Sequence, residues 1–212
     1  MKVLLLHAWP LDERMWDAQV AALEEAGHEP VAPRLYGRGS SVDDWAAQLL
    51  GEIDGSFVAV GASMGGYCAL ALARRASERV PGIALVGSRA DADTAERRRF
   101  RDELVAQLRA EGVRPELETD VSAEELAVAQ EAIRDRPDLS HVASSFGGPL
   151  LVCVGGADEI VPVDDAREIA EAALLGSLEV FAGAGHLLSV DQPERFSEVL
   201  LEFLGQWPVE TV

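Results

Sequence analysis

Cysteine is scarce in this chain of 212 residues, which contains only two, Cys68 and Cys153. Both fall in apolar segments, where a free buried thiol is the expected state, so the sequence offers no disulfide framework. No apolar run approaches the roughly 18 residues that a membrane helix needs. The apolar start at 3–6 is also too short for the hydrophobic region of a secretory signal. These absences favour a soluble protein of the reducing cytoplasm.

Basic residues are also few. The 18 lysines and arginines are outnumbered by 37 aspartates and glutamates, which gives a formal net charge of −19. Such a surface repels nucleic acid and anionic membranes over a Debye length of about 8 Å. We therefore expect a small molecule as the partner of this protein, with no nucleic acid and no membrane, and we explain the acidic excess by solubility.

Repeats and low-complexity segments are absent too, and the chain length suits one globular domain over residues 1–212. Short apolar runs alternate with helical patterns, and this alternation predicts a parallel sheet. The runs consist largely of unbroken Val, Leu, Ile and Ala, which indicates burial on both faces by the intervening helices. The expected fold class is α/β. We predict strands at 3–6, 30–33, 57–60, 83–86, 150–154 and 178–181.

The strand rhythm lapses over residues 88–147, which instead carry two helical patterns at 94–111 and 122–134. Ser122 and Glu125 form a candidate capping box at the start of the second helix. We expect this segment to be a helical insertion within the domain. It also contains a basic cluster, which we interpret as a solvated helix face; the alternative is a guide for a carboxylate-bearing substrate. The cluster consists of Arg97, Arg98, Arg99 and Arg101.

A serine lies at a strand-to-helix turn in the motif Gly61-Ala62-Ser63-Met64-Gly65-Gly66. The apolar run before the motif predicts a strand and the Ala/Leu-rich stretch after it predicts a helix, which is the context of a nucleophile elbow. The serine of such a turn takes a strained backbone conformation, and Gly61 and Gly65 let strand and helix approach without a Cβ clash. We therefore predict that Ser63 is a catalytic nucleophile. The alternative is an ordinary glycine-rich turn.

A serine nucleophile needs a base, here a histidine, and a third group that orients this base. Of the four histidines, His186 follows the last apolar strand, at the carboxyl edge of the predicted sheet, where ligand sites of α/β proteins occur. We predict that His186 is the general base. His28 and His141 are expected at the surface. His7, at the end of the first strand, is expected to brace a loop.

Asp158 is the candidate for the orienting acid, because the strand at 150–154 leads directly to it. Asp158 has an alternative interpretation as a turn aspartate that accepts backbone N–H bonds, and Asp91 is the second candidate for the acid. The developing oxyanion needs two donors, for which we expect the backbone N–H groups of Met64 and Trp9. The alternative for Trp9 is an anchor of the core.

These motifs resemble the α/β-hydrolase superfamily, in particular its small esterase, enol-lactonase and cofactor-free perhydrolase-like members. The order Ser63, Asp158, His186 along the chain is the order of that superfamily. The resemblance implies a reduced, mainly parallel sheet of about six strands with helices on both faces, and it implies that the insertion at 88–147 is a cap over the catalytic face. It rests on the segments 7–12 with 15–16, 36–40, 61–66, 155–162, and 183–186 with 191–194.

Two positions depart from the pattern of the superfamily. Ala8 stands where relatives usually have glycine in the oxyanion loop, and Arg34 stands where they usually have an aspartate. Serine at the elbow argues against the dehalogenase and epoxide-hydrolase branches, which use a carboxylate nucleophile.

The resulting hypothesis is a serine hydrolase that cleaves a small carboxylic ester, lactone or thioester through an acyl-enzyme. It needs no metal and no organic cofactor, and it is expected as a monomer or small homo-oligomer. One alternative keeps the same triad for acyl transfer, perhydrolysis or C–C bond hydrolysis. Another alternative, which Ala8 and Arg34 favour, is a ligand-binding receptor with little turnover.

Overall fold

The computed structural model describes residues 1–117 and 119–207. The strands of this part of the chain are β1 (Lys2–Leu6), β2 (Glu29–Val31), β3 (Val58–Ala62), β4 (Ile83–Val86), β5 (Leu150–Gly155) and β6 (Gly176–Phe181). They form one parallel sheet in the order β2-β1-β3-β4-β5-β6. The α/β class and the parallel six-stranded sheet predicted from the sequence are confirmed.

The helices lie between the strands and after β6. They are α1 (Asp17–Glu25), α2 (Val42–Glu52), α3 (Met64–Arg75), α4 (Ala95–Glu111), α5 (Ala123–Arg134), α6 (Ser140–Ser145), α7 (Val163–Ala172), α8 (Leu188–Asp191) and α9 (Pro193–Leu204). Among the helices of residues 1–117 and 119–207, none has both the length and the apolar character required to cross a membrane.

The sheet separates two hydrophobic cores. Leu4 and Leu6 of β1 belong to the core that contains the apolar residues of α2 and α3, whereas Val3 and Leu5 belong to the core that contains those of α9. Successive side chains of a strand point to opposite faces, so a strand that is covered on both sides must be apolar at every position. This is why the inner strands β1, β3, β4 and β5 are nearly unbroken apolar runs in the sequence, whereas the edge strands β2 and β6 contain Glu29 and Glu179.

Helices α4, α5 and α6 lie between β4 and β5, in the segment where we expected two helices. Thr94 caps α4 by accepting the backbone N–H of Arg97, and Ser122 with Glu125 forms the complete capping box at the start of α5. Both predicted helices are therefore present with their predicted first turns. Helix α6 is an addition, because a helix of six residues with only two of them buried leaves no clear periodic signal in the sequence.

The basic cluster of α4 corrects our interpretation, because three of its four arginines bind carboxylates of the chain itself. The pairs are Arg97 with Asp91, Arg98 with Asp135, and Arg101 with Asp93. The Asp93 side chain is fully buried and also accepts a 2.7 Å hydrogen bond from Arg136. A buried carboxylate needs such partners, since an unpaired charge in the interior is costly. The cluster thus fastens α4 and α5 to the segment after β4.

Candidate active site

The backbone around Ser63 is held in a strained turn between β3 and α3. Ser63 has φ 46° and ψ −107°, and it is the one non-glycine residue with positive φ in the described part of the chain. Its N–H donates to the Val86 carbonyl at 2.8 Å. A Cβ added to Gly61 would lie 2.3 Å from the Gly65 carbonyl oxygen, and one added to Gly65 would lie 2.1 Å from that of Leu6. The turn therefore requires both glycines, as the sequence indicated.

The structure brings Ser63, His186 and Asp158 together. The Nε2 atom of His186 lies 2.9 Å from the Ser63 Oγ atom, and its Nδ1 atom lies 2.9 Å from Asp158 Oδ2. The three residues follow β3, β6 and β5, so they meet at the carboxyl edge of the sheet. The Asp158 side chain is fully buried, whereas that of His186 is 16% exposed. This gradient of burial leaves the serine end of the chain of hydrogen bonds closer to solvent.

The second oxygen of Asp158 binds the turn that follows it. Oδ1 accepts the N–H groups of Ile160 at 2.8 Å and Val161 at 2.9 Å, so Asp158 also fulfils the alternative interpretation as a turn aspartate. Burial acts to raise the pKa of this carboxyl, but the hydrogen bonds from His186 and from the two backbone N–H groups outweigh it and hold the pKa below its usual range. An ionised carboxylate is an acceptor only, so the Nδ1 atom of His186 carries the proton and Nε2 is free to accept from Ser63.

The other acidic and histidine candidates lie elsewhere. Asp91 pairs with Arg97, and His141 is exposed in α6. His7 is fully buried at the end of β1, where its Nε2 atom accepts the Leu35 N–H at 2.9 Å and its Nδ1 atom contacts the Ala8 carbonyl at 3.1 Å. His7 thus braces a loop, as expected. In residues 1–117 and 119–207, no group of three or more His, Cys, Asp or Glu side chains is arranged to hold a metal ion.

The burial of His7 makes the stability of the fold dependent on pH. Desolvation lowers the pKa of His7 from 6.5 to about 4, against a smaller opposing effect of its hydrogen bond to Ala8. In the unfolded chain His7 becomes protonated as the pH falls below 6.5, whereas in the folded chain it stays neutral down to about pH 4. We therefore expect the free energy of unfolding to fall by about 2 kcal/mol between pH 7 and pH 5 through this residue.

Denaturant unfolding of the wild type and of His7→Gln at pH 7, 6 and 5 measures this effect. The variant should be less stable at pH 7, because it loses a buried hydrogen bond, but its stability should change less with pH. The other ionisable groups contribute nearly equally to both proteins, so the difference between the two slopes isolates His7. Equal slopes for the two proteins would contradict the assignment.

The two amides predicted as oxyanion donors belong to residues that follow neighbouring strands, Met64 after β3 and Trp9 after β1. Met64 is the first residue of α3, so its N–H is one of those that a helix start leaves without an intrahelical acceptor. Trp9 follows β1, is half-buried, and packs against the core that contains the apolar residues of α2 and α3, which agrees with its alternative interpretation as an anchor. Ala8 directs its N–H to the Met15 sulfur at 3.1 Å. That the Met64 and Trp9 amides bind an oxyanion stays a prediction.

Comparison with known proteins identifies the family. The sequence model of the alpha/beta hydrolase family matches residues 3–199. The chain belongs to this family. The AB hydrolase superfamily protein YisY of Bacillus subtilis is 24% identical over 246 residues, an alignment that covers 95% of this chain and 90% of YisY.

Two solved structures illustrate the likeness. A thermophilic esterase from Thermogutta terrifontis, solved with malate bound, has a TM-score of 0.88 and 29% identity, and the match covers 97% of this chain and 90% of the esterase. The enol-lactonase from Burkholderia xenovorans LB400 has a TM-score of 0.79 and 23% identity, with 96% and 91% of the two chains covered. At this lower identity the likeness concerns the fold alone. The resemblance that the motifs indicated is confirmed.

In this alpha/beta hydrolase, the loop after β1 is fastened to α5 and to the segment before it. The Trp9 indole N–H donates to the Leu126 carbonyl at 3.2 Å, and the Thr119 hydroxyl donates to the Pro10 carbonyl at 3.0 Å. Arg34, one of the two departures, pairs with Glu125 at 3.1 Å. The segment between β4 and β5 therefore contacts the region from which the second oxyanion donor is expected.

Two residues next to the triad escaped the sequence analysis of this alpha/beta hydrolase. Ser88 donates its hydroxyl to the Ser63 carbonyl at 2.8 Å, and Arg89 donates to the Ile160 carbonyl at 2.9 Å. A signal was available, because Gly87, Ser88 and Arg89 directly follow β4 at the carboxyl edge of the sheet, where the triad residues also lie.

Proposed function

We propose that this alpha/beta hydrolase is a serine hydrolase that cleaves a small carboxylic ester, lactone or thioester through an acyl-enzyme. One observation carries the proposal: two hydrogen bonds of 2.9 Å join the Ser63 hydroxyl, the His186 ring and the Asp158 carboxylate. A serine hydroxyl becomes a useful nucleophile at neutral pH when a base within hydrogen-bond distance takes its proton.

The proposed reaction has two halves. The Ser63 oxygen attacks the carbonyl carbon while His186 Nε2 takes the serine proton; the same proton then goes to the leaving alcohol or thiol as the C–O or C–S bond breaks. Water repeats these steps on the acyl-enzyme and releases the acid. Asp158 holds the His186 tautomer and stabilises the imidazolium, and the Trp9 and Met64 N–H groups bind the oxyanion. None of these steps needs a metal or an organic cofactor.

The ester-like substrate class is supported by the Thermogutta terrifontis esterase, which shares 29% identity with this chain. We propose that the segment 88–147 is a cap within a single domain and that it limits the size of the substrate. Its contacts with the loop after β1, through Trp9 and Leu126, support this role. We also propose that the protein works in the cytoplasm, which agrees with two buried free cysteines.

The features that favoured a receptor with little turnover have another explanation. Ala8 is fully buried with its N–H directed at Met15, and Arg34 is engaged with Glu125 and lies over the Tyr36 ring. Both departures are thus accommodated by contacts within the chain. They leave the hydrogen bonds among Ser63, His186 and Asp158 intact. We therefore favour a hydrolase over a receptor that binds its ligand without turnover.

A substrate panel with covalent labelling tests the proposal. The panel contains p-nitrophenyl esters from acetate to decanoate, a lactone and a thioester, and a fluorophosphonate is the labelling reagent. We expect repeated turnover of at least one substrate, and mass spectrometry should find the label on Ser63 in the wild type and none in Ser63→Ala. Labelling with less than about one turnover per site on every substrate would favour the receptor. Absence of both would reject the serine mechanism.

A further inference from the structure

We infer that Ser88 and Arg89, in the loop between β4 and α4, are positioning residues for the triad. Ser88 fixes the peptide that follows the nucleophile, and Arg89 fixes the turn that presents Asp158. The inference rests on the proposed function, since it concerns the same site.

The hydroxyl of Ser88 acts on the nucleophile's own peptide. Its Oγ atom lies 2.8 Å from the Ser63 carbonyl oxygen and 3.4 Å from that of Arg89, so the shorter bond is the one to Ser63. The Ser63 carbonyl and the Met64 N–H belong to one planar peptide and point in opposite directions. A donor that holds and polarises this carbonyl therefore also aims and strengthens the Met64 N–H, a proposed oxyanion donor.

The Ser88 side chain has little freedom to leave this position. Ser88 is only 1% exposed, and a Cβ added to Gly66, in the first turn of α3, would lie 2.2 Å from its Oγ atom. The strained backbone of Ser63 can persist only where its surroundings fix it. A hydroxyl locked against the first turn of α3 supplies such a fixed point.

Arg89 acts on the opposite end of the triad. Its guanidinium binds the Asp165 carboxylate in α7 and donates to the Ile160 carbonyl at 2.9 Å. The N–H of Ile160 in turn donates to Asp158 Oδ1 at 2.8 Å. Ile160 is 60% exposed, so its own burial does not hold it in place, whereas Val161 beside it is buried. The guanidinium additionally fastens the turn by its backbone and ties it to α7.

Gly87 connects these two contacts to the third member of the triad. It has φ +54°, and an added Cβ would lie 2.7 Å from the His186 carbonyl oxygen and 3.5 Å from Asp158 Oδ2. Three consecutive residues thus approach the histidine, the serine and the turn of the aspartate. A displacement of the loop after β4 would therefore reach all three catalytic groups.

Ser88→Ala tests the first contact. We expect kcat for a p-nitrophenyl ester to fall about 10- to 100-fold, less than the loss of a whole oxyanion donor, with KM changed less than threefold. The rate of fluorophosphonate labelling of Ser63 should fall in parallel. Ser88→Cys keeps a donor at this position, although the thiol is larger and donates more weakly, so it should give an intermediate kcat even if the alanine variant folds poorly.

The control for Ser88 is Ser197→Ala. Ser197 is also buried, and its hydroxyl donates to the Pro193 carbonyl at 2.8 Å in α9. Each kcat is expressed per active site, counted by titration with the fluorophosphonate. Both alanine variants should lower Tm, but only Ser88→Ala should lower kcat. A kcat within threefold of the wild type in both Ser88 variants would overturn the role of Ser88.

Arg89→Met tests the second contact. We expect kcat to fall about tenfold with KM little changed, because Asp158 loses its fixed orientation towards His186. Arg89→Lys keeps the charge but has no planar fork for two simultaneous partners, so it should recover only part of the loss. Arg79→Met is the control. Arg79 precedes β4 and donates to the carbonyls of Leu50 and Gly55, which precede β3, so its contacts lie before the amino ends of these strands and not at the carboxyl edge.

A merely structural role of Arg89 predicts that Arg89→Met and Arg79→Met lower Tm alike and leave kcat per active site unchanged, and that result would overturn the inference. Ser63→Ala distinguishes a failure of the proposed function from a failure of the positioning roles alone. If that variant keeps its activity, the proposed function fails and the positioning roles fail with it. If it loses activity while the Ser88 and Arg89 variants keep theirs, only the positioning roles fail.

Discussion

Ser63→Ala should lower kcat on the best ester of the panel by about 10⁴ to 10⁶-fold. Without the hydroxyl, His186 has no proton to take from the chain and no acyl-enzyme forms. What remains is the contribution of the oxyanion donors and of substrate binding, which accounts for the lower end of the range. Steady-state kinetics on purified protein, with circular dichroism as a check on folding, measures the loss.

Ser145→Ala is the matched control for this substitution. Ser145 is exposed in α6, and its hydroxyl donates to the His141 carbonyl at 2.6 Å, so its loss should leave kcat unchanged. A loss of less than 100-fold in Ser63→Ala would mean that another group, such as a water activated by His186, carries most of the reaction.

The fold was predictable because its signals are local. Each strand between covered faces is a short unbroken apolar run, and the starts of α4 and α5 are fixed by Thr94 and Ser122, whose side chains accept backbone N–H groups three residues ahead. The same kind of signal was misleading at α2. Ser41 and Asp44 have the spacing of a capping box, and Ser41 does cap that helix, but Asp44 binds the Ser40 N–H, so the box is only half formed.

The segment just before α9 also differs from what its sequence pattern indicates. In the sequence, Asp191 and Pro193 both suit the start of the last helix. The structure places Asp191 at the end of α8, where its carboxylate accepts the Gly185 N–H at 2.8 Å, beside His186. Pro193 is the first residue of α9, as its missing N–H favours. A short polar side chain can cap a helix or a turn, and only the path of the loop decides which.

Contacts between distant segments were beyond the reach of the sequence analysis. Arg98 pairs with a carboxylate 37 residues away, Ser88 binds a carbonyl 25 residues away, and Arg89 binds one 71 residues away. Nothing in the neighbourhood of these residues in the sequence specifies such partners. The proximity of Ser63, Asp158 and His186 was predictable, although Ser63 and His186 are 123 residues apart, because each of the three follows its own strand and the carboxyl ends of parallel strands share one edge.

Asp158→Asn should lower kcat by about 10³ to 10⁴-fold while the fold is retained, by analogy with the corresponding substitution in other serine hydrolases. Oδ1 of the asparagine can still accept the N–H groups of Ile160 and Val161, so the turn keeps its hydrogen bonds. The amide NH₂ then faces His186 Nδ1 as a donor. It favours the tautomer in which Nε2 carries the proton, and this tautomer cannot take the proton of Ser63.

Asp138→Asn is the control for this substitution. Asp138 also accepts a backbone N–H in a turn, that of Ser140 at 2.8 Å, but it contacts none of the triad residues in the described part of the chain. If Asp158 were only a turn aspartate, both variants would change Tm slightly and neither would change kcat. A loss of kcat confined to Asp158→Asn, with KM near that of the wild type, separates orientation of the base from stabilisation of the turn. A loss smaller than tenfold would assign the orienting role to another group.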